Sequence, residues 1–206
     1  MQGLLGISRA IDALNAWIGR WVSWLILAAV LVSAINATVR YLVSSSSNAW
    51  LELQWYLFSA VFLLVSPWTL MQQEHIRIDI VNSRFSKRVR DWIDLLGHLF
   101  FLLPVCLVML RYSIPFAQLS VTSGEISQNA GGLIVWPAKV LIPIGFALLF
   151  LQGVSEVIKR IAIMQGLIED HHGGGHHAAA EAEAQRLLEA AQELGGADTP
   201  AEPLAR

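Results

Sequence analysis

Long apolar runs separated by short polar breaks dominate this chain. Four of them, approximately Trp21 to Val43, Leu51 to Met71, Trp92 to Tyr112 and Leu133 to Ile158, contain few charged residues. Each is long enough to cross the roughly 30 Å hydrocarbon layer, which takes about 20 helical residues. The pattern predicts an all-α membrane protein with four transmembrane helices. Residues 21–163 form the membrane domain, 1–20 an N-terminal flank, and 164–206 a flexible or helical tail. Arg9 and Arg20 ahead of the first run, and "VSA" at Val32 to Ala34, have the form of a secretory signal. A signal's apolar region is normally only about 7–15 residues, so the longer run here is read as a retained anchor.

Composition agrees with the pattern. Of 206 residues 55% are apolar and 15% charged, with a mean hydropathy of +0.53 and a net charge of -2. That balance points to lipid and away from nucleic acid as a partner. The single cysteine, Cys106, lies inside an apolar run, so neither a disulfide within the chain nor a cysteine-based metal site is available. All eight tryptophans (Trp17, Trp21, Trp24, Trp50, Trp55, Trp68, Trp92 and Trp136) fall near span ends, as in an interfacial aromatic belt. Basic residues orient the bundle. Arg9, Arg20, Arg77, Arg84, Lys87, Arg88, Arg90, Lys159 and Arg160 flank one side, against Arg40, Arg111 and Lys139 on the other. The excess predicts cytoplasmic N- and C-termini, with the tail cytoplasmic as well.

Candidate chemistry inside the spans is thin. On the first span Ala29, Ser33 and Ala37 recur every fourth residue, and Ser33, Asn36 and Arg40 form a polar strip beside them. Small residues at that spacing allow close helix approach, and Asn36 requires a hydrogen-bond partner in hydrocarbon. Glu52 and Gln54 open the second span, Asp94 and His98 the third, and Lys139 the fourth. Asp94 and His98, four apart, share a helix face and form a structural pair rather than a proton relay, since no second buried acid joins them. A bis-histidine haem is excluded, because His98 is the one intramembrane histidine. The run "HHGGGHH" at His171 to His177 reads as a hinge before a helix-forming tail. Pro104 and Pro143 predict kinks in the third and fourth spans, and Ser86 an N-cap for the third. No cofactor, metal or catalytic set emerges. In "EHIRIDI" at Glu74 to Ile80, isoleucines alternate with His75, Arg77 and Asp79, so an extended backbone would aim Arg77 and Asp79 the same way. The bottom-up reading is an accessory membrane subunit.

Four stretches taken in order carry a resemblance: "NAWLELQWYLF" from Asn48, "EHIRIDI" from Glu74, "SGEISQNAGGLIVWPAK" from Ser123 and "IPIGFALLFLQGVSEVIKR" from Ile142. Over roughly Ala13 to Ile163 the chain resembles the small membrane subunit, or Q subunit, of tripartite ATP-independent periplasmic (TRAP) transporters. Many members carry two adjacent acids after the tryptophan, where Glu52 here stands alone. The resemblance implies a non-enzymatic subunit in the bacterial inner membrane that adheres to a large many-span transport subunit. A periplasmic binding protein would deliver an organic acid, such as a 2-oxoacid or hydroxy acid, for sodium-coupled uptake. It further implies that Trp50 and Glu52 order the start of the second span, that His75, Arg77 and Asp79 fix the cytoplasmic turn, and that Gly124, Glu125 and Ser127 fix the periplasmic loop. Gln54, Trp136 and Lys139 join them as structural or interface candidates, and none is a substrate ligand. Two rival readings remain: a stand-alone four-span carrier using Glu52 as its proton-coupled acid, and a membrane anchor for another inner-membrane complex.

Overall fold

A computed structural model describes residues 2–43, 47–72 and 86–168. They form α1 (Gln2–Val22), α2 (Trp24–Val43), α3 (Asn48–Gln72), α4 (Lys87–Gly97), a π-helical turn (His98–Leu102), α5 (Leu103–Ser123) and α6 (Trp136–Met164). Four stretches are long and apolar enough to cross a membrane: Gly3–Leu42, Asn48–Gln72, Arg88–Ser123 and Trp136–Met164. The only extended pairing among the described residues is a single antiparallel bridge between Ile126 and Ile134. The segment holding His75, Arg77 and Asp79 and the tail after Ile168 lie outside the described residues.

The N-terminal flank is itself a helix, α1, and its amphipathicity is inverted. Ser8 and Asn15 are buried, with Gly19 also inside, whereas Leu4, Ile7, Leu14, Trp17 and Trp21 are exposed. Inward residues at positions 8, 12, 15 and 19 recur every three to four positions, which is one helical face. An apolar exterior around a polar contact is stable where lipid replaces water. At Ser23 the helix breaks. The Ser23 hydroxyl and N–H both donate to Gly19 O, at 2.7 and 3.0 Å, and the next helix begins at Trp24. Residues 8 to 15 of α1 bond to residues 152 to 159 of α6, with both Ser8 and Asp12 bonded to Ser155.

The remaining helices form an open row. α6 packs on α5, α3 and α1, α3 also packs on α2, and α2 and α5 share no packed interface. Close approach of α3 and α6 depends on Gly145: a Cβ there would stand 2.8 Å from Leu63 Cβ and 2.9 Å from its carbonyl oxygen. Gly153 similarly receives Leu102 and Leu103. The π turn directly precedes Pro104, which lacks the N–H that an α-helix would donate to residue 100 and whose ring crowds that carbonyl. Widening of the preceding turn absorbs both effects, and α4, π turn and α5 continue as one rod. Pro143 lies within an unbroken α6. Ser86 occupies the N-cap position of α4, but its backbone oxygen accepts from Val89 and Arg90 while its hydroxyl makes no capping bond. α5 ends at Gly124, whose φ of +61° lets Glu125 N–H reach back to Ser120 O at 3.2 Å.

Candidate functional site: polar clasps at both ends of the bundle

The loop joining α5 to α6 closes as a small hairpin. Ser127 N–H donates to Leu133 O at 2.9 Å, and Val135 N–H to Glu125 O at 3.0 Å. Glu52, buried one turn into α3, grips that hairpin with both carboxylate oxygens. Oε1 accepts from the Ser127 hydroxyl and from Asn129 Nδ2 at 2.8 Å, and Oε2 accepts from Leu133 N–H at 2.7 Å. Two further α3 side chains add to the grip: Asn48 Nδ2 donates to Ala130 O at 3.0 Å, and Tyr56 OH to Ile134 O at 3.3 Å. No side chain fits at Gly132, because a Cβ would lie 2.5 Å from Ser127 Cβ and 2.9 Å from Glu52 Oε1.

Beside it, Lys139 Nζ bonds Glu125 Oε2 at 2.5 Å and lies 4.2 Å from the centre of the Phe116 ring. That bond holds the Glu125 carboxyl below its ordinary value of 4.5. Glu52, Glu125, Ser127, Lys139 and the Gly124 turn therefore meet in one assembly. Trp50, Gln54 and Trp136 contribute no side-chain hydrogen bond to it among the described residues; Trp50 and Trp136 are exposed and Gln54 half-buried. On α2, Ala29 is fully buried, Ser33 and Asn36 are half-buried, and Ala37 and Arg40 are exposed.

At the opposite end lies a larger network that residue-by-residue reading missed. Gln152 is fully buried. Its Nε2 donates to Asp12 Oδ1 at 2.8 Å and Glu156 Oε1 at 2.9 Å, while its Oε1 accepts from Asn15 Nδ2 at 2.7 Å. The Ser155 hydroxyl donates to Asp12 and is met by the Ser8 hydroxyl at 2.7 Å. Lys159 bridges Asp12 at 3.1 Å and Glu156 at 2.5 Å. These contacts bind α1 to α6, and one acceptor is left over: Asn15 Oδ1, buried without a donor among the described residues.

On α6's other side, Arg160 clamps α4 with one nitrogen 3.0 Å from Asp91 and another 2.8 Å from Asp94. This corrects the expected isolated pair of Asp94 and His98. A second buried acid, Asp91, does join Asp94, and both carboxylates go to Arg160. His98 instead places Nδ1 2.6 Å from the Asp94 carbonyl oxygen, one helical turn back. The signal was present in the chain: Gln152, Ser155, Glu156 and Lys159 recur at three- and four-residue spacing through the end of an apolar run, and Ser8, Asp12 and Asn15 do so in α1. From the sequence Arg160 and Lys159 read only as topology markers.

These clasps join helix to helix and helix to loop. The family model for "Tripartite ATP-independent periplasmic transporters, DctQ component" matches residues 29–162, covering most of α2 through nearly all of α6, with the Glu52 hairpin and the Arg160 clamp inside the match and α1 outside it. Neither a curated protein nor a solved structure gives a significant match. With four membrane-capable helices and a match over more than half its length, the chain belongs to the DctQ family, the small membrane component of TRAP transporters, and is a transporter subunit rather than an enzyme.

Proposed function

We propose that this chain is the accessory, scaffold-holding subunit of a sodium-coupled importer of an organic acid, a 2-oxoacid, hydroxy acid or similar carboxylate. It sits in the bacterial inner membrane with both termini in the cytoplasm. A large many-span subunit carries the substrate and the ion, and a periplasmic binding protein delivers the substrate. The observation that carries the reading is the state of the buried carboxylates. Glu52 already accepts from three donors, Asp91 faces Arg160, and Glu156 faces Lys159 and Gln152. A coupling acid must exchange partners during a transport cycle, whereas each of these is engaged by contacts that define the fold. The stand-alone carrier is disfavoured for that reason, since Glu52 is held by three donors of one hairpin.

In this reading the Glu52 hairpin and the Arg160 clamp keep the row rigid, so that it can brace a partner whose transport domain moves. The test is reconstitution in liposomes. This chain alone should give no sodium-driven solute uptake, the large subunit alone little, and both with the binding protein full uptake. Sodium-driven uptake by this chain alone would overturn the accessory role.

A further inference from the structure

We propose that α1 lies in the plane of the membrane, at the end of the bundle that carries the Arg160 clamp, and that it binds an anionic phospholipid leaflet. Acyl chains meet one of its edges, and headgroup phosphates meet Arg9 and Arg20 on the other.

At about 100° per residue, α1 sorts into four quarters. The inward quarter holds Ser8, Asp12 and Asn15, which bond to α6, and Gly19, which lies against Trp68 of α3. About 90° to one side stand Leu4, Ile7, Ile11, Leu14, Ile18 and Val22, all aliphatic. About 90° to the other side stand Leu5, Arg9, Ala13, Ala16 and Arg20, with both arginines exposed. Opposite the inward quarter, Trp17 and Trp21 are 60% and 62% exposed.

An aliphatic edge facing an arginine edge along about 30 Å of helix fits a boundary between hydrocarbon and water that runs parallel to the axis. An upright helix has the same surroundings on both edges at each depth, so it has no use for that division. The two tryptophans lie between the edges, where amphipathic indoles settle at a bilayer interface. The exposed charges of α1, Arg9 and Arg20, are both basic, which complements an anionic leaflet. Length agrees. Gly3–Leu42 counts 40 residues, about 60 Å if straight, whereas α2 alone, with 20 residues and about 30 Å, is long enough to cross. α1 is surplus to the crossing, and the break at Ser23 lets it turn aside. Its contacts lie toward one end of the bundle: Trp68 is close to the last residue of α3, Gln72, and Gln152 to Lys159 occupy the later half of α6.

The experiment is spin labelling of the full chain within the complete transporter, reconstituted in vesicles of phosphatidylethanolamine and phosphatidylglycerol. Labels enter through Ile7→Cys, Ala13→Cys and Leu14→Cys, one at a time, the native Cys106 being buried. The labels at 7 and 14 should collide with oxygen and the label at 13 with a water-soluble nickel chelate, a depth difference between neighbours of about 10 Å, close to the helix diameter. An upright α1 would separate positions 13 and 14 by only about 1.5 Å, and that result overturns the proposal. Exclusion of both reagents at all three positions also overturns it, since protein then covers the face. Arg9→Gln and Arg20→Gln should each lower crosslinking of α1 to a photoactivatable phosphatidylglycerol about fivefold, and unchanged crosslinking would remove the headgroup contact. Because a label can disturb a helix, solid-state nitrogen NMR of the native chain in oriented bilayers supplies a second reading. The N–H bonds of α1 should lie across the bilayer normal and those of α2 along it; alignment of both along the normal overturns the proposal.

Discussion

Glu52 shows how one residue can organise a loop. Its two oxygens accept from three donors on the α5–α6 hairpin, so Glu52→Ala leaves Ser127, Asn129 and the Leu133 N–H unpaired at once. Glu52→Gln keeps the shape but replaces one acceptor oxygen by a donor. The expected order of hairpin protection in hydrogen exchange is native above Gln above Ala, and equal protection in all three would contradict the clasp. Gly132→Ala should be as damaging as either, by about 1–3 kcal/mol of overpacking in thermal unfolding, since its new Cβ meets Ser127 Cβ at 2.5 Å. Glu125 adds a pH dependence of known sign. Its folded value lies below 4.5 because Lys139 bonds the ionised form, so its contribution is complete above pH 4.5 and is lost as pH falls through the lowered folded value. Hairpin protection should therefore drop in acid, and Glu125→Gln should remove that part of the drop.

At the scale of elements, α1 and α4 are attached to α6 through charges and amides. Arg160→Leu leaves Asp91 buried and uncompensated, which costs about 3–5 kcal/mol where a buried pair loses one partner. Changing Asp91 and Asp94 to leucine in the same chain should recover much of that loss. Thermal unfolding in detergent checks both statements, and equal melting of Arg160→Leu and native protein would remove the clamp. The inverted face of α1 explains why periodicity alone found four spans and no helix before them. A search for apolar faces turned inward finds nothing in residues whose inward face is Ser8, Asp12 and Asn15.

For the whole molecule, the nine-to-three distribution of basic residues predicts the side on which each clasp lies. A cysteine replacing Gln128 in the hairpin should react with an impermeant reagent from the periplasm, and one replacing Leu167 only after the inner membrane is opened. Both positions are exposed, while the native Cys106 is buried and should stay silent. The reverse pattern would invert the orientation and place Glu52 in the cytoplasm.

Span number, helical class and family were readable from the chain because they depend on local quantities: runs of apolar residues near bilayer thickness, tryptophans at their ends, and four motifs in fixed order. That Glu52, Glu125 and Ser127 lie in the stretches carrying the resemblance was also readable. Their partners were not. Glu52 meets residues 75 to 81 positions away, and Ser8 meets Ser155 across 147. Such pairings are set by which helices become neighbours, and hydrophobic pattern does not specify neighbours in lipid, where every apolar face is already satisfied. The tertiary structure decided that the helices form an open row, that Lys159 and Arg160 bind acids as well as mark a membrane side, and that Arg111 is left facing outward. Buried charge, rather than buried oil, selects the arrangement, because in hydrocarbon an unpaired polar group costs far more than a misplaced leucine.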